Sequence, residues 1–520
     1  MTRLNIGVDV GGTNTDAVAV RGRQVLAEFK HPTSSDVLSG VIGSIRALLE
    51  RSGIEAGQVD TIMIGTTHFT NAVVEAKHLA RTAAIRLAGS ATKAIPPMLD
   101  WPPRLRRVVD GGSYILGGGY EFDGRPIVPL DEAEIRGVAS RLREEAIGAA
   151  AVTSVFGPVN ASDEERTAEL LAAEHPEMAV SLSTRIGRMG LIERENATIL
   201  NSSLRPLADR IVNAFQQAIA DLGIEAPMYL SQNDGTLMGA EQTRLYPVST
   251  FASGPTNSMR GAATLSGLSD CAVIDVGGTT TDIGILRSGF PREAPMSIDI
   301  GGVRTNFRMP DLVSVGIGGG SIVRTGESLS VGPDSVGYEL TTRALVFGGD
   351  VLTATDIAVA AGLARIGDPS LVAHLDEAVV AQAMAVIKAA IAETLDVMKT
   401  SRDPIPVVLV GGGSILVDDD IPGASSVTRP AHAGVANAIG AALSQVGAQI
   451  DRVIALGGTT RQAALDAISE DARARCVEAG AEAETIRVVD VDEVPLAYLP
   501  SNAVRMSLRV VGDLSQETRG

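Results

Sequence analysis

Two segments far apart in the chain share the pattern Asp-Val-Gly-Gly-Thr-x-Thr-Asp. The first runs from Asp9 to Asp16 and the second from Asp275 to Asp282, so the copies are offset by 275 − 9 = 266 residues. In each copy a short apolar run precedes the pattern, another follows it, and turn residues lead into a third. This order predicts an antiparallel three-stranded meander with a glycine-rich first turn. A repeated meander predicts two related lobes in one chain.

Two common nucleotide-binding motifs are excluded by the sequence. A dinucleotide fingerprint needs a glycine loop that opens a helix, whereas these loops lead into strands. A Walker A loop needs a Gly-Lys pair, and the sequence contains none. The six histidines also lack the spacing of a zinc site. The sequence therefore predicts a different kind of phosphate site.

A Gly-Gly-Thr turn between strands exposes backbone N–H groups that a phosphate oxygen can approach closely, and threonine hydroxyls add donors. The carboxylates of Asp9 and Asp275 stand beside these turns, where they can hold Mg²⁺ or orient an attacking oxygen. A single such turn is more often a plain hairpin, but two copies with both flanking aspartates favour a clamp around ATP with Mg²⁺. The predicted cofactor-contacting residues of the two turns are Gly11, Gly12, Thr13, Thr15, Asp16, Gly277, Gly278, Thr279, Thr280 and Asp282.

Two further glycine clusters are candidates for the same cofactor. The apolar run Val407–Val410 leads into Gly411, Gly412 and Gly413, which can lie flat against an adenine or ribose. A tight turn between strand and helix is an equal alternative. The second cluster contains Gly318 and Gly319, and we expect it to form a ligand-facing loop.

Two polar segments are candidates for binding a substrate. Thr66, Thr67, His68 and Asn71 follow an apolar strand and begin a helix, although N-capping by one of the threonines is an alternative.

The second polar segment begins a long helical pattern, where Arg194 and Asn196 are candidates for holding a ring carbonyl or its developing oxyanion. The alternative is that Glu193 and Arg194 form an exposed pair of little consequence.

Length and periodicity divide the chain into three segments. A chain of 520 residues is too long for one core. Helical patterns span 131–150, 191–222, 354–362, 371–398 and 431–444, and a strand–helix–strand–strand pattern follows residue 451. We expect an N-terminal lobe at 1–190, a second lobe at 191–445 and a small C-terminal α/β segment at 446–520. The fold class is therefore α/β.

The net charge of −18 opposes loose binding to nucleic acid or to an anionic membrane. The two cysteines, Cys271 and Cys476, cannot form a disulfide framework, which is typical of a reducing compartment. We expect a cytoplasmic protein that binds neither nucleic acid nor membrane.

Several segments together resemble the hydantoinase A / 5-oxoprolinase family, within the acetate and sugar kinase / Hsp70 / actin superfamily. They are Ile64–Ala72, Glu193–Thr198, Ser253–Pro255, Asp275–Ile283, Gly316–Ile322 and Val435–Ala442. The resemblance implies two actin-like, ribonuclease H-like lobes with a nucleotide cleft between them. The ending resembles a shorter branch of the family with a reduced C-terminal part.

The resemblance also implies ATP-dependent opening of a cyclic amide such as a hydantoin or oxoproline, together with a second, separately encoded subunit. We expect a homo-oligomer as well. A small-molecule kinase and an ATP-driven switch protein are the alternatives within the same superfamily. Family members often carry a histidine where this chain has Val313 or Ser314, and another where it reads Ser183–Ile186.

Overall fold

The computed structural model describes residues 3–11, 14–32, 37–294, 297–326, 328–497 and 502–515. The strands in these ranges, numbered in chain order, are β1 (Leu4–Val10), β2 (Asn14–Arg21), β3 (Gln24–Pro32), β4 (Thr61–Gly65), β5 (Thr82–Leu87), β6 (Asp110–Leu116), β7 (Ala149–Ser154), β8 (Ala179–Leu182), β9 (Met228–Ser231), β10 (Thr236–Gly239), β11 (Cys271–Val276), β12 (Thr281–Arg287), β13 (Phe290–Pro291), β14 (Ile298–Ile300), β15 (Val303–Thr305), β16 (Leu312–Val315), β17 (Ser321–Arg324), β18 (Ser330–Ser335), β19 (Ile405–Val410), β20 (Ala424–Thr428), β21 (Gln445–Ala455), β22 (Arg487–Pro495) and β23 (Ala503–Gly512). The α-helices are α1 (Val37–Ser52), α2 (His68–Glu75), α3 (Pro103–Val109), α4 (Glu132–Glu144), α5 (Ser162–Glu174), α6 (Leu191–Asp221), α7 (Ala240–Leu245), α8 (Ser253–Ser266), α9 (Leu340–Arg343), α10 (Ala354–Ala360), α11 (Glu377–Met398), α12 (Ala436–Ala442) and α13 (Arg461–Glu478).

The repeated sequence forms the same meander twice. β1 pairs antiparallel with β2, and β11 with β12, so that each leading aspartate lies opposite the closing one. Each turn is closed by the same backbone hydrogen bond, from Gly11 N to Asn14 O at 2.9 Å and from Gly277 N to Thr280 O at 2.8 Å. β3 and β13 continue the two meanders. The predicted duplicated meander is confirmed.

The first sheet contains nine strands in the order β22-β23-β21-β10-β9-β4-β1-β2-β3. Its central strands are apolar and buried, so helices must cover them. Ile45 of α1 and Leu204 of α6 share one core with Ile6 and Ile64 of the sheet. α6 closely matches the predicted 191–222 helix, and Gly223 after it has the left-handed φ of 75° that suits glycine at a helix end.

The second sheet has the order β13-β12-β11-β19-β20, and β16 pairs with β12. α10 and α11 pack on it with a separate core. α11 is long and apolar enough to cross a membrane by length and composition alone. However, one of its faces, with Ile387, Ile391 and Leu395, is buried in the second core. That face packs α11 against the second sheet.

A four-stranded parallel sheet, in the order β6-β5-β7-β8, is inserted in the first lobe and covered by α4 and α5. The helix expected at 131–150 is wrong in its second half. α4 ends at Glu144, and Ala146 reverses the chain with a left-handed φ of 54°. Residues 149–154 are then fully buried as β7 between β5 and β8. A short apolar run buried between parallel strands adopts a strand rather than extending a helix.

The C-terminal strands β21–β23 extend the first sheet rather than forming a sheet of their own, because β21 pairs in parallel with β10. The expected strand, helix and two strands are all present, as β21, α13, β22 and β23. The first sheet therefore contains strands from all three predicted segments. The segment boundaries at 190 and 445 stay a prediction.

The two lobes meet where α8 packs directly against α12. A Cβ added to Gly261 of α8 would lie 1.9 Å from Ala436 O, and one added to Gly440 of α12 would lie 1.8 Å from Asn257 O. A Cβ on Gly7 of β1 would lie 2.1 Å from Ala438 O. These contacts are backbone to backbone, so only glycine fits at each of them.

We predict that Gly440→Ala lowers the free energy of unfolding by about 3 kcal/mol, because its new methyl group forces α8 and α12 apart. Urea unfolding followed by circular dichroism measures this change. The matched control is Gly43→Ala on the exposed face of α1, where no atom lies within 4 Å of the added Cβ. That substitution should stabilise the protein by up to about 1 kcal/mol. Equal effects of the two substitutions would contradict the close helix contact.

Candidate functional site

The two leading aspartates occupy equivalent positions in the two lobes. Asp9 ends β1 beside Gly65 at the end of β4, and Asp275 lies in β11 beside Gly411, which follows β19. A Cβ on Gly65 would lie 1.9 Å from Asp9 Oδ1, and one on Gly411 would lie 2.2 Å from Asp275 Oδ1. Each carboxylate therefore occupies space that only a glycine on the neighbouring strand leaves open.

Both oxygens of Asp9 are held by amides from two different helices. Asn257 of α8 donates from Nδ2 to Oδ1 at 2.9 Å, and Asn437 of α12 donates from Nδ2 to Oδ2 at 3.1 Å. Asp9 is only 3% exposed. The first turn of α8 is also close, since a Cβ on Gly254 would lie 3.7 Å from Asp9 Oδ2. The carboxylate is thus fixed in orientation by the helix contact between the lobes.

Burial makes both leading carboxylates harder to ionise. Desolvation, opposed by the hydrogen bond from Asn257, raises the pKa of Asp9 to about 6. Desolvation, opposed by a hydrogen bond from Ser258 and reinforced by the charge of Asp282, raises the pKa of Asp275 to about 7. The charge of Asp9 contributes further to the shift at Asp275. Near neutral pH the two groups therefore lie close to their titration points, which is common at functional sites.

The closing aspartates have different partners in the two lobes. In the first lobe, Lys30 of β3 lies opposite Asp16 and makes an ion pair with it, Nζ to Oδ1 at 2.9 Å. In the second lobe, Ser314 of β16 lies opposite Asp282 and donates a short hydrogen bond to it from Oγ. Burial raises the pKa of both aspartates. Lys30 also lowers the pKa of the leading Asp9, as a nearby positive charge does.

Lys30 reaches across to the second lobe. A Cβ on Gly412 would lie 3.8 Å from Lys30 Nζ, so the ammonium lies beside the third glycine turn. The third turn itself packs on the second, with a hydrogen bond from Gly413 N to Val276 O at 2.7 Å. Gly411, Gly412 and Gly413 therefore lie next to the second glycine turn.

The other predicted cofactor residues divide into three groups. Gly12 and Thr13 lie outside the described residues. Thr279 is exposed at the tip of the second turn, flanked by the partly exposed Gly277, Gly278 and Thr280, whereas Thr15 is buried in β2 near the partly exposed Gly11.

Gly318 and Gly319 lie behind the second turn, where Gly319 N donates to Gly277 O at 3.0 Å and a Cβ on Gly318 would overlap the turn backbone. Their contacts support the turn.

The polar segment after β4 adjoins Asp9. Thr66 is 2% exposed, follows Gly65 directly, and places Oγ1 2.6 Å from His68 Nδ1. Thr67 occupies the N-cap position of α2 but makes no capping bond through its side chain, whereas Thr66 Oγ1 accepts from His68 N at 3.3 Å. Asn71 is exposed, with Nδ2 3.5 Å from Thr67 Oγ1. The structure brings this segment to the edge of the carboxylate site.

The prediction that Arg194 and Asn196 contact a substrate is corrected by the structure. Arg194 is fully buried, and its guanidinium donates to Ser183 Oγ and to three backbone carbonyls, those of Ser154, Arg188 and Met189. The alternative of an exposed Glu193–Arg194 pair is wrong for the same reason.

Asn196 is also buried, because it accepts from Trp101 Nε1 at 2.8 Å and donates to Arg304 O at 2.9 Å. Both side chains hold loops against α6.

Four residues of the site were not among the predicted ones: Lys30, Gly65, Asn257 and Asn437. Asn257 lies two residues after the Ser253–Pro255 segment, and Asn437 lies inside the Val435–Ala442 segment. A single asparagine among the small residues of a predicted buried helix is the signal that could have identified them, because a buried polar side chain needs a hydrogen-bond partner. Lys30 could have been found from the hairpin register opposite Asp16.

We predict that Asp275→Asn stabilises the protein at pH 8. The folded pKa of about 7 exceeds the unfolded value of 3.8, so the folded state binds more protons between these values, and stability falls as pH rises across that range. Above pH 7 the full cost of the buried charge applies, and the amide removes about 2 kcal/mol of it. Thermal unfolding from pH 8 to pH 5 should show the gain shrinking as pH falls. A gain independent of pH, or none, would sink this explanation.

Two family models and several known proteins match the sequence of this chain. Residues 5–175 match the family described as the hydantoinase/oxoprolinase N-terminal region, and residues 194–402 match the family described as hydantoinase/oxoprolinase. The caprolactamase subunit alpha of Pseudomonas jessenii is 26% identical over 387 residues, covering 69% of this chain and 54% of that protein. The acetophenone carboxylase gamma subunit of Aromatoleum aromaticum is 26% identical over 394 residues, covering 69% and 53%. The chain thus spans about half the length of these relatives, both of which are named as subunits.

Two solved structures show the fold. The crystal structure of ATP-dependent caprolactamase from Pseudomonas jessenii superposes with a TM-score of 0.78 at 19% identity, covering 99% of this chain and 88% of that one. The nucleotide-free structure of acetone carboxylase gives a TM-score of 0.69 at 18% identity, with the same two coverages. The superpositions confirm the predicted α/β fold with two related lobes.

Proposed function

Since the chain belongs to the hydantoinase/oxoprolinase family, we propose that it binds ATP with Mg²⁺ between its two glycine turns and uses the γ-phosphate to activate a cyclic amide for hydrolysis. The observation that supports this most directly is the pair Asp9 and Asp275, one beside each glycine turn, with the pKa of each raised toward neutrality. Such groups respond strongly to an added cation, because a nearby positive charge favours their ionised forms. The caprolactamase of Pseudomonas jessenii is described as ATP-dependent in its crystal structure, and the similar chain is named as its subunit alpha, which supports the same proposal.

The residues present fit Mg²⁺ rather than a transition metal. Asp9 and Asp275 offer oxygen ligands only, and among the described residues there is no group of three or more His, Cys, Asp or Glu that could hold a metal ion unaided. Mg²⁺ is typically held by one or two carboxylates, with water and phosphate oxygens completing its shell. When bound, the ion would neutralise the phosphate charge that develops during transfer.

The chain's own residues supply positioning. The two turns offer backbone N–H groups to the phosphates, and Asn257 and Asn437 keep Asp9 in one orientation. In the proposed reaction the amide oxygen attacks the γ-phosphorus, the bond to the β-phosphate breaks, and ADP leaves. Water then adds to the activated carbon, and the ring C–N bond breaks with a proton passing to the nitrogen, which leaves an acyl phosphate. A second water attacks the acyl carbon, and phosphate departs with the oxygen it received, leaving the ring-opened acid.

The substrate, partner and setting are parts of the same proposal. The cleft edge formed by Thr66, Thr67, His68 and Asn71 is the proposed substrate side, because it adjoins Asp9. We propose a second subunit, a homo-oligomer and a cytoplasmic location. We also propose the segments 1–190, 191–445 and 446–520 as its domains. A released phosphorylated product in place of inorganic phosphate would instead identify a small-molecule kinase.

The test is an ATPase assay against lactams, hydantoins, ureas and sugars, with and without the products of neighbouring genes. A cyclic amide should stimulate ATP turnover and yield its ring-opened acid with ADP and inorganic phosphate in equal amounts. Turnover that no small molecule changes, but that a protein partner controls, would instead identify a switch protein and overturn the proposal.

We predict that Asp9→Ala and Asp275→Ala each lower ATP turnover by about 10²–10³-fold, since each removes a fixed charge at the transferring phosphate. Steady-state phosphate release measures this, and circular dichroism checks that the variants fold. Asp396→Ala on the exposed face of α11 is the control and should retain full turnover. Near-normal turnover in either cleft variant would remove that carboxylate from the mechanism.

A further inference from the structure

A cavity of about 650 Å³ lies between the two lobes, away from the glycine turns. Its walls come from the β12–β13 hairpin of the second sheet and from β22 and β23 at the edge of the first sheet. Five arginines line it: Arg188, Arg287, Arg292, Arg505 and Arg509. Four carboxylates line it as well, so the cavity carries both signs of charge in nearly equal number.

Strand register explains why arginine side chains face the cavity. Along β23, Arg505 and Arg509 alternate with Met506, Leu508 and Val510, which are buried in the core shared with α13. Alternate residues of a strand point to opposite faces. The polar face of β23 therefore faces the second lobe, while its apolar face packs on α13.

Several buried guanidinium nitrogens near the cavity lack a hydrogen-bond partner. Within the described ranges, every buried guanidinium nitrogen that lacks a hydrogen-bond partner in the protein belongs to four neighbouring arginines: Arg188, Arg260, Arg292 and Arg509. Arg509 is 5% exposed and lacks partners at both Nε and Nη1. Buried polar groups are nearly always paired in folded proteins, so such a concentration points to a missing partner.

An acceptor is orphaned at the same place. Glu293 Oε2 accepts from Arg188 Nη2 at 2.6 Å, but Glu293 Oε1 receives no hydrogen bond. Arg509 Nη1 lies 3.7 Å from that Oε1, too far for a direct bond. The two groups thus form a loose ion pair in which neither atom has a hydrogen bond.

Two further carboxylates pair with neighbouring arginines rather than with Arg509. Arg292 is paired with Asp311 at 2.8 Å, and Arg505 with Asp451 at 3.1 Å. Arg260 and Arg509 both lie over the ring of Phe290, at 3.9 and 5.1 Å from its centre. Burial, with the charges of Arg487 and Arg509, lowers the pKa of Arg260 to about 10. An added negative group would relieve this repulsion.

We propose that this interlobe cavity binds an α-amino acid, with its carboxylate on Arg509 and its ammonium on Glu293. A ligand with both charges a few ångströms apart matches the adjacent donor and acceptor, whereas a simple anion would leave the Glu293 oxygen unpaired. The near balance of arginines and carboxylates in the lining also suits a zwitterion better than a polyanion. This site is independent of the ATP chemistry proposed above.

The experiment is calorimetric titration of the full chain with the standard α-amino acids at constant ionic strength. Acetate and methylamine, which each carry one half of the ligand, are the companion probes. At least one amino acid should bind, and neither half-ligand should bind as well. Arg509→Gln and Glu293→Gln should each weaken binding by about tenfold or more, the effect of removing one partner of a charged hydrogen bond.

Arg452→Gln is the matched control. Arg452 lies on the neighbouring β21 but opposite Met506, so it belongs to the other face of the sheet, where it pairs with Asp471. It should bind the amino acid as the unaltered chain does. Thermal unfolding verifies that each variant folds. If the Arg509→Gln variant does not fold, the Glu293→Gln variant alone tests the proposal.

Three results would overturn the proposal: no amino acid binds, acetate binds equally well, or both cavity variants bind like the control. The first means that the cavity holds water only.

Discussion

The contact between α8 and α12 is the interaction on which the site depends. It brings two helix backbones together at Gly261 and Gly440, with no side chain between them. Because α12 also packs on Gly7 of β1, the contact connects the second lobe directly to the strand of the first that carries Asp9. The same two helices then deliver Asn257 and Asn437 to Asp9. Interlobe packing and carboxylate orientation are therefore one structural feature.

This arrangement stabilises a site that is itself costly. Asp9 and Asp275 are both desolvated, and the charge of Asp9 adds to the cost of ionising Asp275. Amide donors offset part of the penalty at Asp9, yet its pKa still stays above the usual range. Without a bound cation the folded chain bears this cost, so rigid glycine packing elsewhere has to maintain the geometry. A local free-energy cost of this kind, in a fold whose other features all favour the same structure, is typical of functional sites.

The sequence predicts the local features of the fold and few of its long-range ones. The duplicated meander follows from short-range patterning around Asp9 and Asp275, which strand periodicity and turn residues determine. The pairing of β21 with β10 joins residues about 200 positions apart, and no local pattern specifies it. Arg194 shows the same limit within a site. A charged residue near a helix start is usually exposed, but the loop from Ser183 to Met189 folds over this one and accepts its hydrogen bonds.

The two halves of the repeat have diverged at their closing aspartates. Asp16 faces an ammonium, whereas Asp282 faces a hydroxyl at Ser314. The ammonium of Lys30 lies beside both Asp16 and Gly412, whereas the partner of Asp282 is a neutral hydroxyl. A polyphosphate is attracted more strongly toward the ammonium than toward a hydroxyl at equal distance. The duplicated turns are therefore alike in backbone but unequal in charge. This difference gives an otherwise symmetric cleft a direction along which a phosphate chain would be oriented.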